Sequence, residues 1–397
     1  MAYQNVSTPR FYIDILSYLK AHGLLSAGEY DTIFFDVSTG WYLDSLKLIG
    51  INPTSPIELE SQNTPGNQDF LFFTSAINFK SIMPEKQNFM MALGHNLKSA
   101  NAQIYSQAGE AVNGGDWNGV ANEGYVNLDA TDGRYPAFDG FSISLGNDAH
   151  DLDTQLLRFR FDNQDNNGSP YPINIKIGSL LYGTYYEMPN APNLSLTMSR
   201  EYGGTKEITT HNGSSISNTM WSKPPAWGDL GAWELGGLNP AWSIPDPPPA
   251  LSKSGRRTWD LKFSYMDDGD LWGSNQSISN FVIDGYYEPI YTGAGGTNNT
   301  YPHQGYDEED LFLSGDPGDP LEDISRGFNY NILTDDNFFS QVWHKTLGGT
   351  LPFIFQPDKD NINPDQFAIC RFKKDTLKAT QSAFNVYDIS VSIEEVW

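Results

Sequence analysis

Cysteine is almost missing from this sequence, since Cys370 is the only one among 397 residues. A single cysteine cannot form an intrachain disulfide or supply a cysteine-based zinc site. Long hydrophobic runs are missing too, because no stretch approaches the length of a membrane span. Charged residues interrupt every apolar window of residues 1–25, which argues against a signal peptide. We therefore expect a protein made in a reducing cytoplasm and not inserted in a membrane.

Basic residues are few as well. There are 24 Lys and Arg against 49 Asp and Glu, and the formal net charge is −25. A protein that binds nucleic acid needs a positive surface against the phosphates. The charge therefore predicts no nucleic-acid partner. The negative charge can simply keep the protein soluble and make undocked molecules repel each other. A more specific interpretation is that the acidic residues bind a divalent cation.

Aromatic residues, glycine and proline are plentiful. Aromatic residues make up 14% of the chain, and 37 Gly and 24 Pro are spread along its whole length. This composition is typical of many short strands joined by turns. No internal repeat or heptad run is visible in the sequence. We predict an all-β fold of two β-sandwich domains in series, with long loops and few short helices.

Residues near both ends of the chain have clear periodicity. Residues 10–25 predict a short strand and then a helix that ends at Gly23, and residues 32–37 predict another strand. In residues 387–394, apolar and polar side chains alternate as in a half-buried antiparallel strand, and Trp397 continues the apolar face. We expect this closing strand to tie the C-terminus into a sheet.

The C-terminal part has a Gly348-Gly349 turn, an aromatic run at residues 352–355, a strand carrying Cys370 and a closing strand, with a further strand upstream at residues 258–265. This layout resembles the minor tail and distal tail proteins of long-tailed bacteriophages, over roughly residues 194–397. The resemblance implies a tail-type, ring-forming β-sandwich. It is a pattern of strands and turns, and none of its motifs carries chemistry.

Residues 88–107 predict a strand, a Gly-His-Asn-Leu turn and a second strand, while residues 156–161 and 173–183 supply later strands. These pieces are similar, in order, to the galactose-binding-like jelly rolls of the discoidin type. The resemblance covers roughly residues 63–186. It implies a jelly-roll domain, and host-surface glycan as a possible ligand of that domain.

The proline-containing segment at residues 188–192 suggests the domain boundary. We assign residues 1–188 to a jelly-roll domain with an N-terminal extension. Residues 189–397 then form the tail-type sandwich, which includes a Pro/Trp-rich excursion at about 220–255 and an acidic loop at about 293–323. Prolines exclude the excursion from a sheet interior, because they withhold the amide donor that a ladder needs.

Four residues are candidates for ligand binding. His95 and Asn96 could line a site at the end of the jelly roll, but turn chemistry explains both without a ligand, and we favour that interpretation. Trp227 and Trp233 could cover the apolar face of a sugar ring. A subunit interface would bury their indoles equally well, and we favour the interface.

The sequence supports metal binding and catalysis less than it supports the ligand-binding candidates. Residues 148–153 alternate carboxylates near an imidazole, and residues 163–168 resemble the start of a calcium loop, in which Asn174 replaces the bidentate glutamate. A structural calcium ion therefore stays an alternative. Glu187, Glu201 and Glu234 could supply a carboxylate pair for glycoside hydrolysis, but the sequence contains no catalytic motif. We expect no enzyme and no cofactor.

These observations predict a structural virion protein of a bacteriophage tail, assembled in the host cytoplasm. Its expected partners are further copies of itself in a ring and other phage tail proteins. Attachment to host-surface glycan is an additional expectation. The alternatives are a free-standing lectin-like protein and a polysaccharide-degrading virion enzyme.

Overall fold

The structure is a computed structural model. It describes residues 5–25, 33–35, 42–53, 55–59, 68–73, 79, 82–83, 88–109, 125–127, 136, 139–146, 156–163, 171–201, 205–219, 256–273 and 332–396. Strands dominate this part of the chain and every strand pairing in it is antiparallel, so the prediction of an all-β fold with few short helices is confirmed.

The largest unit is a ten-stranded sheet built from both ends of the chain. Its strands, in spatial order, are β13 (Thr197–Glu201), β16 (Arg256–Asp267), β20 (Val386–Glu395), β18 (Ala368–Phe372), β17 (Phe353–Gln356), β1 (Arg10–Asp14), β12 (Ser179–Glu187), β6 (Asn88–Leu93) and β9 (Phe141–Gly146), with β19 (Ala379–Ala383) paired to β20.

A second sheet has six strands and comes from the N-terminal half alone. In spatial order these are β3 (Tyr42–Asp44), β2 (Ile33–Phe35), β5 (Gln68–Phe73), β10 (Leu156–Asn163), β7 (Ala102–Gly109) and β8 (Tyr125–Asn127). Two small pairs complete the strands: β4 (Ile57–Leu59) with β11 (Ile175–Ile177), and the hairpin of β14 (Thr205–Thr209) and β15 (Ser215–Thr219).

The helical segments within the described residues are short. They are α1 (Ile15–Ala21), α2 (Asp268–Leu271), 3-10 turns at Ser45–Leu48 and Pro364–Gln366, and a π-helix at Phe339–His344. The buried Asp14 caps α1 by accepting hydrogen bonds from the Leu16 and Ser17 amides (3.3 and 3.1 Å). Gly23 follows α1 with a φ of 69°, where the sequence predicts the end of the helix.

Apolar side chains are buried on both faces of the ten-stranded sheet. On one face, alternate residues of β6 and β12 such as Met90 and Tyr182 pack with Phe159 and Phe161 of the second sheet, which makes a sandwich. Towards the other end of that face, Phe11 packs in a second core that consists mostly of C-terminal residues. The opposite face carries a smaller cluster that includes Tyr12. Burial on both faces explains why β6 is apolar along most of its length.

Strand β1 joins the N-terminal and C-terminal strands of this sheet. It pairs with β12 on one side and with β17 on the other. The Phe11 ring lies 5.6, 5.6 and 5.2 Å from the rings of Phe338, Phe353 and Phe355. Two sandwich domains in series, divided near residue 188, are therefore not confirmed, because strands from both sides of that position share one sheet and one core.

The sequence alternates Leu194, Leu196 and Met198 with other residues, which predicts a strand over 194–198. In the structure β13 begins only at Thr197, and Leu194 is fully exposed. The alternation of the closing strand, in contrast, is confirmed. Ile389, Val391 and Ile393 of β20 are buried, and the strand pairs with β16, β18 and β19.

Candidate functional site

His95 and Asn96 lie in the turn after β6, where both side chains are buried. Gly94 precedes them with a φ of 60°, and a Cβ at that position would overlap the carbonyl oxygen of Pro53. The turn therefore needs glycine both for its backbone conformation and for this close approach.

The polar atoms of both side chains bond to the protein itself. The Leu97 amide donates to His95 Nδ1 (3.2 Å), and Ser142 Oγ lies 2.8 Å from His95 Nε2. Asn96 donates to the carbonyl of Asn174 (2.7 Å) and accepts from the Lys176 amide (2.6 Å). These contacts fit the interpretation from turn chemistry, in which the two side chains tie β6 to β9 and β11, and we assign them no ligand.

Burial lowers the pKa of His95 to about 3 from an ordinary value of 6.5. The folded protein keeps this imidazole neutral, whereas the unfolded chain takes up a proton below pH 6.5. The contribution of His95 to stability is therefore complete above pH 6.5, and it is lost as the pH falls towards 3, at about 1.4 kcal/mol per pH unit.

Replacement of His95 by glutamine should remove this pH dependence. We expect His95→Gln to cost about 1–3 kcal/mol at pH 7.5 through lost hydrogen bonds, and the gap to the wild type to narrow as the pH falls from 6.5 to 4.5. Urea unfolding of both proteins across this range measures the gap. The exposed His211, in the β14–β15 hairpin, gives the control variant His211→Gln. A gap that stays constant with pH would contradict a neutral, buried His95.

The other predicted candidates are mostly not described by the structure. Trp227, Trp233 and Glu234 lie outside the described residues, as do residues 148–153 of the possible cation site. In the calcium-like segment, Asn163 is the last residue of β10 and is paired with Ala102, while residues 164–168 lie outside the description. Within the described ranges, no three His, Cys, Asp or Glu side chains are grouped so as to hold a metal ion.

Two of the glutamates considered for catalysis form ion pairs. Glu187 contacts Arg10 (3.0 Å) and is also bonded to Lys359, and Glu201 lies 3.6 Å from Lys373. Burial by itself would raise the pKa of Glu187, but the hydrogen bonds from Lys359 and Arg10 outweigh it and hold the pKa below its ordinary value. Glu187 is therefore held as a carboxylate that links β12 to β1 and to the loop after β17.

A buried ion pair that the sequence does not reveal joins β16 to the closing strand. Arg257 and Glu395 form a bidentate contact, with Nη2 to Oε1 at 2.8 Å and Nε to Oε2 at 3.1 Å. Arg257 also donates to the carbonyls of Asp365 and Phe367 (2.6 and 2.9 Å). The sequence predicts a strand beginning just after Arg257 and a closing strand near Glu395, but the contact between the two side chains depends on the register of β16 against β20.

A buried lysine lies just after the π-helix. Lys345 is fully buried and donates from Nζ to Gln341 Oε1 at 2.6 Å, and Thr184 Oγ1 donates to the same oxygen at 3.3 Å. Burial lowers the pKa of Lys345 to about 7, against the opposing attraction of Asp336. These contacts link the π-helix to β12 and present no reactive group to solvent.

An exposed strand lies at one end of the ten-stranded sheet, at β13. All five residues of this strand are exposed, although the sheet behind it is largely buried. The β14–β15 hairpin follows β13 in the chain and carries Ile208 and Ile216 as a directly paired, exposed couple. An edge strand presents backbone donors and acceptors that another chain can pair with.

Three large apolar side chains are almost fully exposed at one end of this sheet. We name Leu194, Tyr265 and Phe384 the sheet-end cluster; their exposed fractions are 101%, 81% and 88%. Exposed aromatic and aliphatic groups of this size are typical of surfaces that contact another molecule.

None of the helices that the structure describes is both long and apolar enough to cross a membrane. A comparison with protein-family models gave no match, and a comparison with curated protein sequences gave no significant match.

Proposed function

We propose that this chain is a structural protein of a bacteriophage tail and that it works by assembling into a homo-oligomeric ring with other tail proteins as neighbours. The observation that carries the proposal is β13, the last strand of the ten-stranded sheet within the described residues, because all five of its residues are exposed. Rings of identical subunits form when one surface of a subunit meets a different surface of the next. An exposed strand at the end of a sheet provides such a surface.

The pattern of buried contacts supports assembly over catalysis. Three contacts of buried or half-buried ionisable side chains are structural links: Glu187 with Arg10, Arg257 with Glu395, and Lys345 with Gln341. The exposed apolar groups, in contrast, are concentrated around β13, the hairpin and the sheet-end cluster. Apolar area left on the outside of one subunit becomes buried when the next subunit docks.

Light scattering on the purified full chain tests the proposal. We expect a stable multimer of defined mass at micromolar concentration, and electron microscopy of that multimer should show closed rings. A protein that sediments as a monomer at every concentration up to about 100 µM would contradict the proposal, since ring interfaces of ordinary size bind much more tightly.

Attachment to host-surface glycan stays a prediction. It rests on the resemblance of residues 88–107 and 156–183 to galactose-binding-like jelly rolls. Among the four candidate ligand-binding residues, Trp227 and Trp233 lie outside the described residues, and His95 and Asn96 are buried. A glycan array probed with the multimer tests this separately, since repeated weak sites gain avidity on a ring.

A further inference from the structure

We propose that the π-helix and Lys345, residues 339–345, form a pH-sensitive latch segment, which packs firmly against β12 in alkaline solution and opens more often as the pH falls. The inference concerns a conformational property of the fold and goes beyond the proposed assembly. It is carried by three observations: a lysine buried beside a neutral acceptor, a group of further bases around it, and the position of the latch segment against strands from the other end of the chain.

Lys345 is buried beside an uncharged hydrogen-bond acceptor. Its side chain is fully buried, and Nζ donates to Gln341 Oε1 at 2.6 Å. An ammonium group has three N–H donors, and this is the one hydrogen bond that Nζ makes among the described residues. A charge buried next to a neutral acceptor is unfavourable, whereas a neutral amine at the same place costs much less. The surroundings therefore favour the uncharged form of Lys345.

Two imidazoles lie in the same region, where the latch segment meets α1. His344 precedes Lys345 in the chain, and its Nε2 lies 3.3 Å from the hydroxyl of Tyr18 in α1. The ring of His22, just after α1, lies 4.5 Å from the Tyr18 ring. Burial and the charges of Lys345 and His22 lower the pKa of His344. Protons that bind here therefore bring like charges close together.

The acidic groups around the latch segment do not offset the burial of Lys345. Asp336 precedes the π-helix, and its charge raises the pKa of Lys345, but burial lowers that pKa by more. Strands β1 and β12 pack against the π-helix. On β1, the Asp14 carboxyl caps α1, and on β12, Glu187 is bonded to two other basic residues. Burial raises the pKa of Tyr186 of β12, so its hydroxyl is uncharged.

The latch segment joins the C-terminal part of the chain to β12. Thr184 Oγ1 of β12 donates at 3.3 Å to Gln341 Oε1, the same oxygen that accepts from Lys345. Gln341 Nε2 donates to the carbonyl of Asp335 at 2.5 Å. A π-helical turn is rare and is frequently found at functional sites. Water reaches Lys345 when this short segment opens, and local opening costs less free energy than global unfolding.

The direction of the pH effect follows from proton binding. Burial lowers the pKa of Lys345 to about 7 from an ordinary value of 10.5. Between these two pH values, the opened segment binds one proton that the closed segment does not bind. The contribution of the neutral amine is therefore complete above pH 10.5 and is lost as the pH falls to 7. Within this range the opening equilibrium constant rises about tenfold for each unit by which the pH falls.

Amide hydrogen exchange on the full chain tests the proposal. Exchange of residues 341–347, corrected for the intrinsic pH dependence of exchange, measures the opening constant of the latch segment. We expect this constant to rise roughly twentyfold in the wild type between pH 9 and pH 7.5. Lys345→Met keeps a long unbranched side chain but removes the charge, so its opening constant should not change over the same range.

The matched control is Lys374→Met, since Lys374 is exposed and follows β18. Its latch segment should respond to pH as the wild type does. The inference is overturned if the wild-type opening constant is the same at both pH values, or if it changes equally in Lys345→Met.

Labelling of lysine amines with acetic anhydride provides a second measurement that needs the wild type alone. Lys345 reacts only through the opened segment, whereas Lys374 is exposed. The ratio of Lys345 labelling to Lys374 labelling removes the effect of amine protonation and should rise roughly twentyfold from pH 9 to pH 7.5. A constant ratio, or a Lys345 that reacts as fast as Lys374, would contradict the latch. Both measurements report local opening, so a monomeric wild type would refute the proposed ring and leave this inference standing.

Discussion

Deletion of residues 388–397 should leave a chain that does not fold. It removes most of β20, which lies between β16 and β18 in the ten-stranded sheet and also pairs with β19. The buried side chains of Ile389, Val391 and Ile393 are lost with it, as is Glu395, the partner of the buried Arg257. Losses of about 2–5 kcal/mol per large apolar side chain together rival the roughly 5–15 kcal/mol that stabilises an ordinary domain, and the broken sheet adds to them.

Solubility, circular dichroism and thermal unfolding measure this outcome. A graded series makes the test quantitative. Ile393→Ala should cost about 2–4 kcal/mol, whereas Ser390→Ala, on the exposed face of the same strand, should change stability by less than about 0.5 kcal/mol. A truncated protein that is soluble and melts cooperatively would show that β20 is not a central strand.

Separation of the chain at residue 188 should also abolish folding of both pieces. The fragment of residues 1–188 keeps β1 and β12 but loses β17, the other neighbour of β1. It would expose Phe11, Ile13 and Tyr186, which belong to the core formed with C-terminal residues. Exposed apolar area of this kind leads to aggregation. We therefore expect neither fragment to give a cooperative melt alone, and co-expression to recover a soluble complex.

A matched control tests whether a change of sequence near residue 188 is harmful by itself or only when the chain is divided. Asn190 and Ala191 are exposed, so a short Gly-Ser insertion after Asn190 should leave the intact chain folded. Sedimentation and thermal unfolding compare the two fragments, their mixture and the insertion variant. A monomeric 1–188 fragment with a cooperative transition would instead support two domains in series.

Much of the secondary structure follows from the sequence by itself. Alternation of Ile389, Val391 and Ile393 predicts β20, and the positive-φ turn at Gly348-Gly349 lies where the glycines predict it. Residues 10–23 give a strand, a helix and its end. Period and turn chemistry are local properties, so a sequence displays them directly.

The partner of each strand is decided by the tertiary structure. Strands β6 and β7 follow each other through the Gly94–Asn96 turn, as the sequence predicts, yet they belong to different sheets. Strand β1 lies between β12 and β17, which are both far from it in the sequence. Pairing over such separations depends on which apolar faces fit together, and strand periodicity carries no information about that fit.

The candidate functional residues also depend partly on sequence and partly on tertiary structure. Sequence composition determines that the chain is acidic, rich in aromatic residues and unable to form an intrachain disulfide, and the Gly-His-Asn-Leu motif predicts His95 and Asn96 as turn residues. Only the tertiary structure shows that both are buried, and that Tyr265, at a bulge in β16, is exposed. Exposure is the outcome of packing among distant segments, so the same apolar residue type can lie in the core or on the surface.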